Sequence, residues 1–323
     1  MAGVSRSLAV DLRGLRLPVP VLAASGCSGT GRELSGLVDH RALGAVVTGS
    51  LTYGPSRGAP TPRVAESRAG IVTAVGQNPG VRDFMAEDLP RLRRLGIPVI
   101  ASVGGSSLEE YVRVTSALQG EPGVVALELY LGTRDEGHGG TPLYDRRELL
   151  VDVVGAVSRL SSLPVFAKLS PVVPNLEETA RACVRAGAHG LTLIDALPGM
   201  VVDAARLRPR LGAVIGGLSG PAIRPMALAA VYRVSQALPA VPIMGVGGIA
   251  TGEDAVEFLL AGAWAVQVGT AMLVDPAVPE EICRGIMGYL EDKGLGSPGE
   301  LRGRLRGGAA PEPQPADGEI EAR

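Results

Sequence analysis

Eight short apolar runs, each closed by glycine, serine or proline, constrain this chain more than any other feature of it. They begin at Val19 (VPVLAASG), Gly44 (GAVVTGS), Pro98 (PVIASVGG), Val124 (VVALELYL), Pro164 (PVFAKLSP), Gly190 (GLTLIDAL), Pro242 (PIMGVGGI) and Ala265 (AVQVGTAM). The runs are continuous rather than alternating, which is the pattern of parallel strands covered on both faces. Between most of them lie helical patterns such as SLEEYVRVTSALQ, LEETARACVRAG, MALAAVYRVSQAL and GEDAVEFLLAG, several of them closing on a glycine. Strand and helix alternating eight times predict a (β/α)8 TIM barrel.

Composition suits that architecture and excludes several functions. Glycine contributes 45 residues and aromatics only 3%, so the core has to be filled by Val, Leu, Ile and Ala. With 31 basic and 33 acidic side chains the net charge is -2, which leaves no electrostatic footprint for nucleic acid or a membrane surface. No apolar run approaches the ~20 residues of a membrane span, and the opening MAGVSRSLAVDLRG lacks the long apolar region of a secretory signal, so a cytoplasmic protein is expected. Cys27, Cys183 and Cys283 are too few for a disulfide framework, and with His40, His138 and His189 they show no metal-ligand spacing, so no metal site is expected. The barrel is expected over residues 1–302. The Pro-rich, polar remainder, 303–323, reads as a disordered tail.

Two connections exceed a single helix, Leu51 to Ile97 after the second run and Leu197 to Val241 after the sixth. Loops of that length on a barrel build or cover a site. After the seventh and eighth runs come GVGGIATGEDA (from Gly245) and VGTAM (from Val268), glycine turns at the pair of strands where barrels bind phosphate. Only two of the basic residues are lysines, Lys168 and Lys293. Lys168 ends the fifth run, and an ammonium aimed into a barrel mouth calls for an anionic or electron-rich partner.

Taken in order, ASGCSGTGRE (from Ala24), PTPRVAES (from Pro60), QNPG (from Gln77), HGG (from His138), AKLSP (from Ala167), GGLSGPAIRPMAL (from Gly216), GVGGI and VGTAM carry a family likeness. Together they resemble class 1 dihydroorotate dehydrogenases, especially the subclass that works with an iron–sulfur flavoprotein partner. The likeness runs from about Leu17 to Arg302. It implies a barrel carrying FMN, a homodimer, and hydride transfer from dihydroorotate to the flavin while a loop cysteine takes a proton. The FMN contacts it implies are Ser25, Ser50, Ser102, Lys168, Ile194, Ser219, Gly220, Gly247, Gly248, Gly269 and Thr270. A positive charge beside the flavin ring stabilises its reduced form, which gives Lys168 a physical role.

The substrate half departs from the family. Its E-L-N-I-S-C-P-N segment reads Glu128-Leu129-Tyr130-Leu131-Gly132-Thr133-Arg134-Asp135, so the cysteine base is Thr133 and the two asparagines are Tyr130 and Asp135. A second family lysine falls on Gly49, the N-x-x-G-L loop on Thr73 to Gln77 with Gly76 inside it, and an asparagine after the sixth strand on Asp195. A site built to hydrogen-bond a substrate loses about 10⁴ to 10⁵ in discrimination when partners are missing. An ionised Asp135 or Asp195 about 5 Å from a substrate carboxylate would oppose it by roughly 3 kcal/mol at an effective dielectric near 20. The departures therefore predict an FMN-dependent oxidoreductase acting on a C–C or C=C bond of a small non-orotate molecule, with Thr133, Tyr130 or His138 handling the proton and Thr73, Gly76, Gln77, Asp135 and Asp195 facing the substrate. Two alternatives stand beside it: a true dihydroorotate dehydrogenase with Thr133 as base, and a non-redox barrel acting as a lyase, isomerase or partner subunit.

Overall fold

The computed structural model describes residues 5–34, 36–74, 76–132, 134–135, 141–143 and 146–305. Eight parallel strands close into a barrel: β1 (Val21–Ala23), β2 (Val46–Val47), β3 (Val99–Val103), β4 (Val124–Tyr130), β5 (Val165–Leu169), β6 (Gly190–Leu193), β7 (Ile243–Val246) and β8 (Ala265–Val268). Each of the eight apolar runs supplies one strand, in chain order around the ring. The (β/α)8 barrel is the fold of this chain.

Helices α1 (Leu89–Arg94), α2 (Leu108–Leu118), α3 (Arg147–Leu160), α4 (Leu176–Arg185), α5 (Arg224–Ala237), α6 (Gly252–Ala261), α7 (Thr270–Val274) and α8 (Val278–Lys293) follow the strands from β2 onward. Their starts are written locally. Ser107 caps α2 by accepting from the Glu110 N–H, Asn175 caps α4 from Glu178, and Thr251 with Asp254 forms a reciprocal capping box on α6. Gly294 ends α8 in the left-handed conformation. No helix among the described residues is long and apolar enough to cross a membrane.

A strand period of two sorts the barrel residues into two sets. Outward-facing Ala101, Val103, Leu127, Leu129, Ala167, Leu169, Leu191, Leu193, Val266 and Val268 join the cluster packed beneath the helices. Inward-facing Leu22, Val47, Ile100, Ala126, Phe166, Met244 and Ala265 fill the lower barrel, closed from below by Leu12, Leu15 and Leu17 of an N-terminal hairpin. Two residues further along the strands the interior turns polar: Ser102, Glu128, Lys168, Thr192 and Gln267 are all buried there. The barrel is thus an apolar plug with a polar layer on top, and the site stands on that layer.

The two long connections pair with each other. Val64–Ser67, Gly70–Thr73, Gly216–Ser219 and Leu197–Gly199 form one antiparallel sheet. The register Gly217↔Thr73, Leu218↔Val72 and Ser219↔Ile71 joins the second connection to the sixth. At the other end of the chain, the Gly303 and Leu305 N–H groups donate to Leu259 and Leu260, and Arg302 stacks 3.6 Å from the Trp264 ring. Residues 306–323, which hold most of the expected tail, lie outside the described residues.

Candidate active site

Lys168 and the glycine turns meet at the C-terminal ends of the barrel strands. The Lys168 ammonium, 5% exposed, donates to Ser25 Oγ at 3.2 Å and lies 3.7 Å from Glu128 Oε1. Burial works against its charge, but Glu128, Asp195 and Cys27 outweigh burial and hold its pKa above the ordinary lysine value. Glu128 was not singled out from the sequence. It is fully buried, and its Oε2 accepts from Thr192 Oγ1 at 2.9 Å and Gln267 Nε2 at 2.8 Å. The signal was present: each of these three is a polar residue inside an apolar strand, on the inward strand phase.

Hydroxyls and glycines surround the lysine. Ser50 Oγ and Ser102 Oγ are 3.1 Å apart at the ends of β2 and β3, and Thr270 Oγ1 donates to Ser219 Oγ at 2.9 Å. Gly220 (φ +96°) and Gly248 (φ +75°) have backbones closed to L side chains, and both are also tight. A Cβ on Gly220 would fall 2.9 Å from Gly70 Cα, and one on Gly248 would fall 2.8 Å from the Gly220 carbonyl oxygen. Arg224 at the start of α5 braces the same turns, paired to Asp254 and to Glu257 at 3.1 Å, while Asp254 Oδ2 accepts the Ala250 and Thr251 N–H groups at 2.9 Å. Gly247 is buried against Ala227 and Ile223, and Gly269 sits against Cys27 and Ala24. Ile194 is buried at the end of β6. A cradle that only glycine leaves open, with hydroxyl donors and a buried ammonium beside it, fits a phosphate-bearing flavin.

The substrate candidates divide. Tyr130 closes β4, and its Oη and Asp195 Oδ2 lie 2.8 and 2.9 Å from where a Gly132 Cβ would stand. Gly132 therefore lets the phenol and the carboxyl approach one another. Thr73 pairs with Gly217, whose own Cβ position is 2.8 Å from Ala196 Cβ, so the inserted sheet brings Thr73 beside the Asp195 loop. Gly76 and Gln77 are exposed, and the Gln77 amide oxygen is taken by Arg63. Thr133 and His138 lie outside the described residues, and Asp135 is described only by its backbone in the strand Arg134–Asp135. Cys27 offers no substitute base, because burial pushes its thiol up to about 11.

Burial also raises the Asp195 carboxyl above its ordinary 3.8, with the Lys168 charge pulling the other way. The native state therefore holds the Asp195 proton more tightly than the unfolded chain does. That contribution to stability is full below pH 3.8 and is lost as pH rises through the raised value. Asp195→Asn, which cannot ionise, is expected to gain melting temperature relative to wild type as pH climbs above about 4. Melting curves from pH 3.5 to 8 check this, and a constant difference between the two proteins would contradict it.

Comparison with known proteins supplies the class. The family described as dihydroorotate dehydrogenase matches residues 7–290, and the chain belongs to that family. It is an FMN-dependent oxidoreductase acting on a CH–CH bond. Among its relatives, the catalytic subunit of dihydroorotate dehydrogenase B (NAD(+)) from Geotalea daltonii is 44% identical over 93% of this chain and 98% of its own length. The proteins of the same name from Geobacillus kaustophilus and Desulforudis audaxviator are 44% and 45% identical, over 92% and 91% of this chain and 95% and 96% of theirs.

These relatives overturn the expectation of a non-orotate substrate, and membership of a redox family removes the lyase or isomerase alternative. The expectation treated Asp195 as an isolated carboxylate, without the neighbours that the fold gives it. Burial raises the pKa of that carboxyl and the Lys168 charge lowers it, so its environment is not that of an aspartate in water. The Lys168 ammonium offsets whatever charge remains.

Proposed function

We propose that this chain is the catalytic barrel of a two-subunit dihydroorotate dehydrogenase, oxidising dihydroorotate to orotate and passing the electrons to a separate iron–sulfur flavoprotein subunit and thence to NAD+. The observation that carries the reading is the likeness, over nine-tenths of the chain, to catalytic subunits named for that activity. The barrel pairs with a second copy of itself.

FMN is held by Ser219, Thr270 and the turns at Gly220, Gly247, Gly248 and Gly269 around its phosphate, with Ser25, Ser50, Ser102, Lys168 and Ile194 along the rest. Bound there, it supplies the hydride acceptor for the oxidation. Lys168 lends positive charge where negative charge develops, in a site the barrel shields from water. Oxidation breaks two C–H bonds on adjacent carbons and forms C=C; one hydrogen leaves as hydride and the other as a proton. Thr133 stands at the family's base position and relays that proton, its hydroxyl oxygen accepting it as its own hydroxyl proton passes to solvent, with Tyr130 and His138 as the other proton carriers of the loop. Tyr130 and Asp195 replace the family's amides as hydrogen-bonding partners of the substrate, beside Thr73, Asp135 and the loop of Gly76 and Gln77.

The test is anaerobic addition of dihydroorotate to the purified protein loaded with FMN. The flavin absorption is expected to bleach, dye reduction to follow, and NAD+ reduction to require the partner subunit. A yellow protein that dihydroorotate does not bleach would sink the reading. Among Thr133→Ala, Tyr130→Phe and His138→Gln, the variant that keeps its colour and loses dye reduction marks the base.

A further inference from the structure

Glu128 is a buried charge that the proposed chemistry does not touch. It lies in the polar layer beneath the mouth, fully inaccessible to solvent, and four strands meet at it: its own β4, Lys168 of β5, Thr192 of β6 and Gln267 of β8. The two carboxylate oxygens are treated differently. Oε2 takes both neutral donors, Thr192 Oγ1 and Gln267 Nε2, whereas Oε1 accepts no hydrogen bond among the described residues and faces the Lys168 ammonium at 3.7 Å.

Burying a carboxylate is costly, and one of its oxygens is left without a hydrogen-bond donor. Packing alone would be served better by an apolar residue of similar volume. The neutral donors pin the carboxylate from below, and the bare oxygen is turned toward the one cation in reach among the described residues. Lysine is a point charge on a flexible stem; here it is tethered between Glu128 Oε1 and Ser25 Oγ.

We infer that Glu128 is a positioning residue that fixes the Lys168 ammonium and offsets part of its charge, and thereby sets the reduction potential of the flavin. The inference rests on the FMN reading above. A bare ammonium would favour the more negatively charged reduced flavin more strongly than one balanced by a carboxylate. Glu128 thus holds the potential down, which eases the onward passage of electrons from flavin to partner.

The experiment is spectroelectrochemical titration of the FMN-loaded protein. Glu128→Gln keeps the shape and, with its amide oxygen at the Oε2 position, the acceptor for Thr192 and Gln267, while an uncharged amide NH2 takes the place of the oxygen that faces Lys168. Its potential is expected to rise by the equivalent of at least about tenfold in the oxidised–reduced equilibrium, about 30 mV for a two-electron couple. On a Lys168→Met background the same change is expected to move the equilibrium less than about threefold, because coupled residues are not additive. An unchanged potential in folded, yellow Glu128→Gln overturns the inference, as does an equal shift in both backgrounds, which would mean that the carboxylate acts without the lysine. Should Glu128→Gln not hold FMN, Glu128→Asp, whose carboxylate is drawn back by one methylene, is expected to shift the same way by less; no shift there overturns it equally. A wild-type protein that binds no FMN would instead defeat the cofactor reading, and the two failures are distinguishable by colour alone.

Discussion

Replacing Lys168 with methionine is expected to lower dihydroorotate-dependent dye reduction by about 10² to 10³, the usual loss when one preorganised electrostatic group is removed. A second effect accompanies it. Glu128 is fully buried, and with Lys168 gone its carboxylate loses the only cation at contact distance among the described residues. Breaking a buried pair from one side costs about 3–5 kcal/mol, so the urea midpoint is expected to fall well below that of wild type. The double variant Lys168→Met with Glu128→Gln separates the effects: removing both charges restores most of the stability, while turnover stays low. If the double variant were no more stable than Lys168→Met, the ion pair would not be what the lysine contributes to folding.

The second large effect is on cofactor binding. Gly248→Ala puts a Cβ at φ +75°, 2.8 Å from the Gly220 carbonyl oxygen and 2.7 Å from Arg224 Cβ. The left-handed backbone alone costs an L residue roughly 1–2 kcal/mol, and Arg224 is held by Asp254 and Glu257 and cannot step aside freely. The turn has to open, and the FMN dissociation constant is expected to rise at least about tenfold, since 1.4 kcal/mol is one decade. Fluorescence titration of apoprotein with FMN measures it. Gly288→Ala is the control: a Cβ there, on the outer helix α8, meets nothing within 4 Å, and FMN affinity is expected to be unchanged. Equal affinity in Gly248→Ala would remove these turns from the phosphate site.

The substrate half of the site was the part least legible in the sequence. Set against the family pattern, Tyr130, Thr133, Asp135 and Asp195 read in the sequence as lost contacts or new repulsions. A carboxyl at a barrel mouth is not the carboxyl of a peptide in water. Desolvation raises the cost of its charge, and Asp195 beside Tyr130 and under the pull of Lys168 is a different chemical group from an isolated aspartate.

By itself the sequence determined the barrel, because strand and helix periods are local and eight of each leave few closed solutions. It also determined the helix starts, whose capping donors lie within three residues, and it marked Lys168 as a lysine retained among arginines. The tertiary structure decided what depends on distance through space. The pairing of residues 71–73 with 217–219 carries no local signature, since hydrogen bonds across about 145 positions are chosen by the barrel that brings the two loops together. Likewise Glu128, Thr192 and Gln267 are three unremarked polar letters in apolar runs until strand closure turns them inward around one ammonium. Charge state belongs to that second group as well: a proton's affinity is set by burial and by neighbours from other strands, which no window of sequence contains.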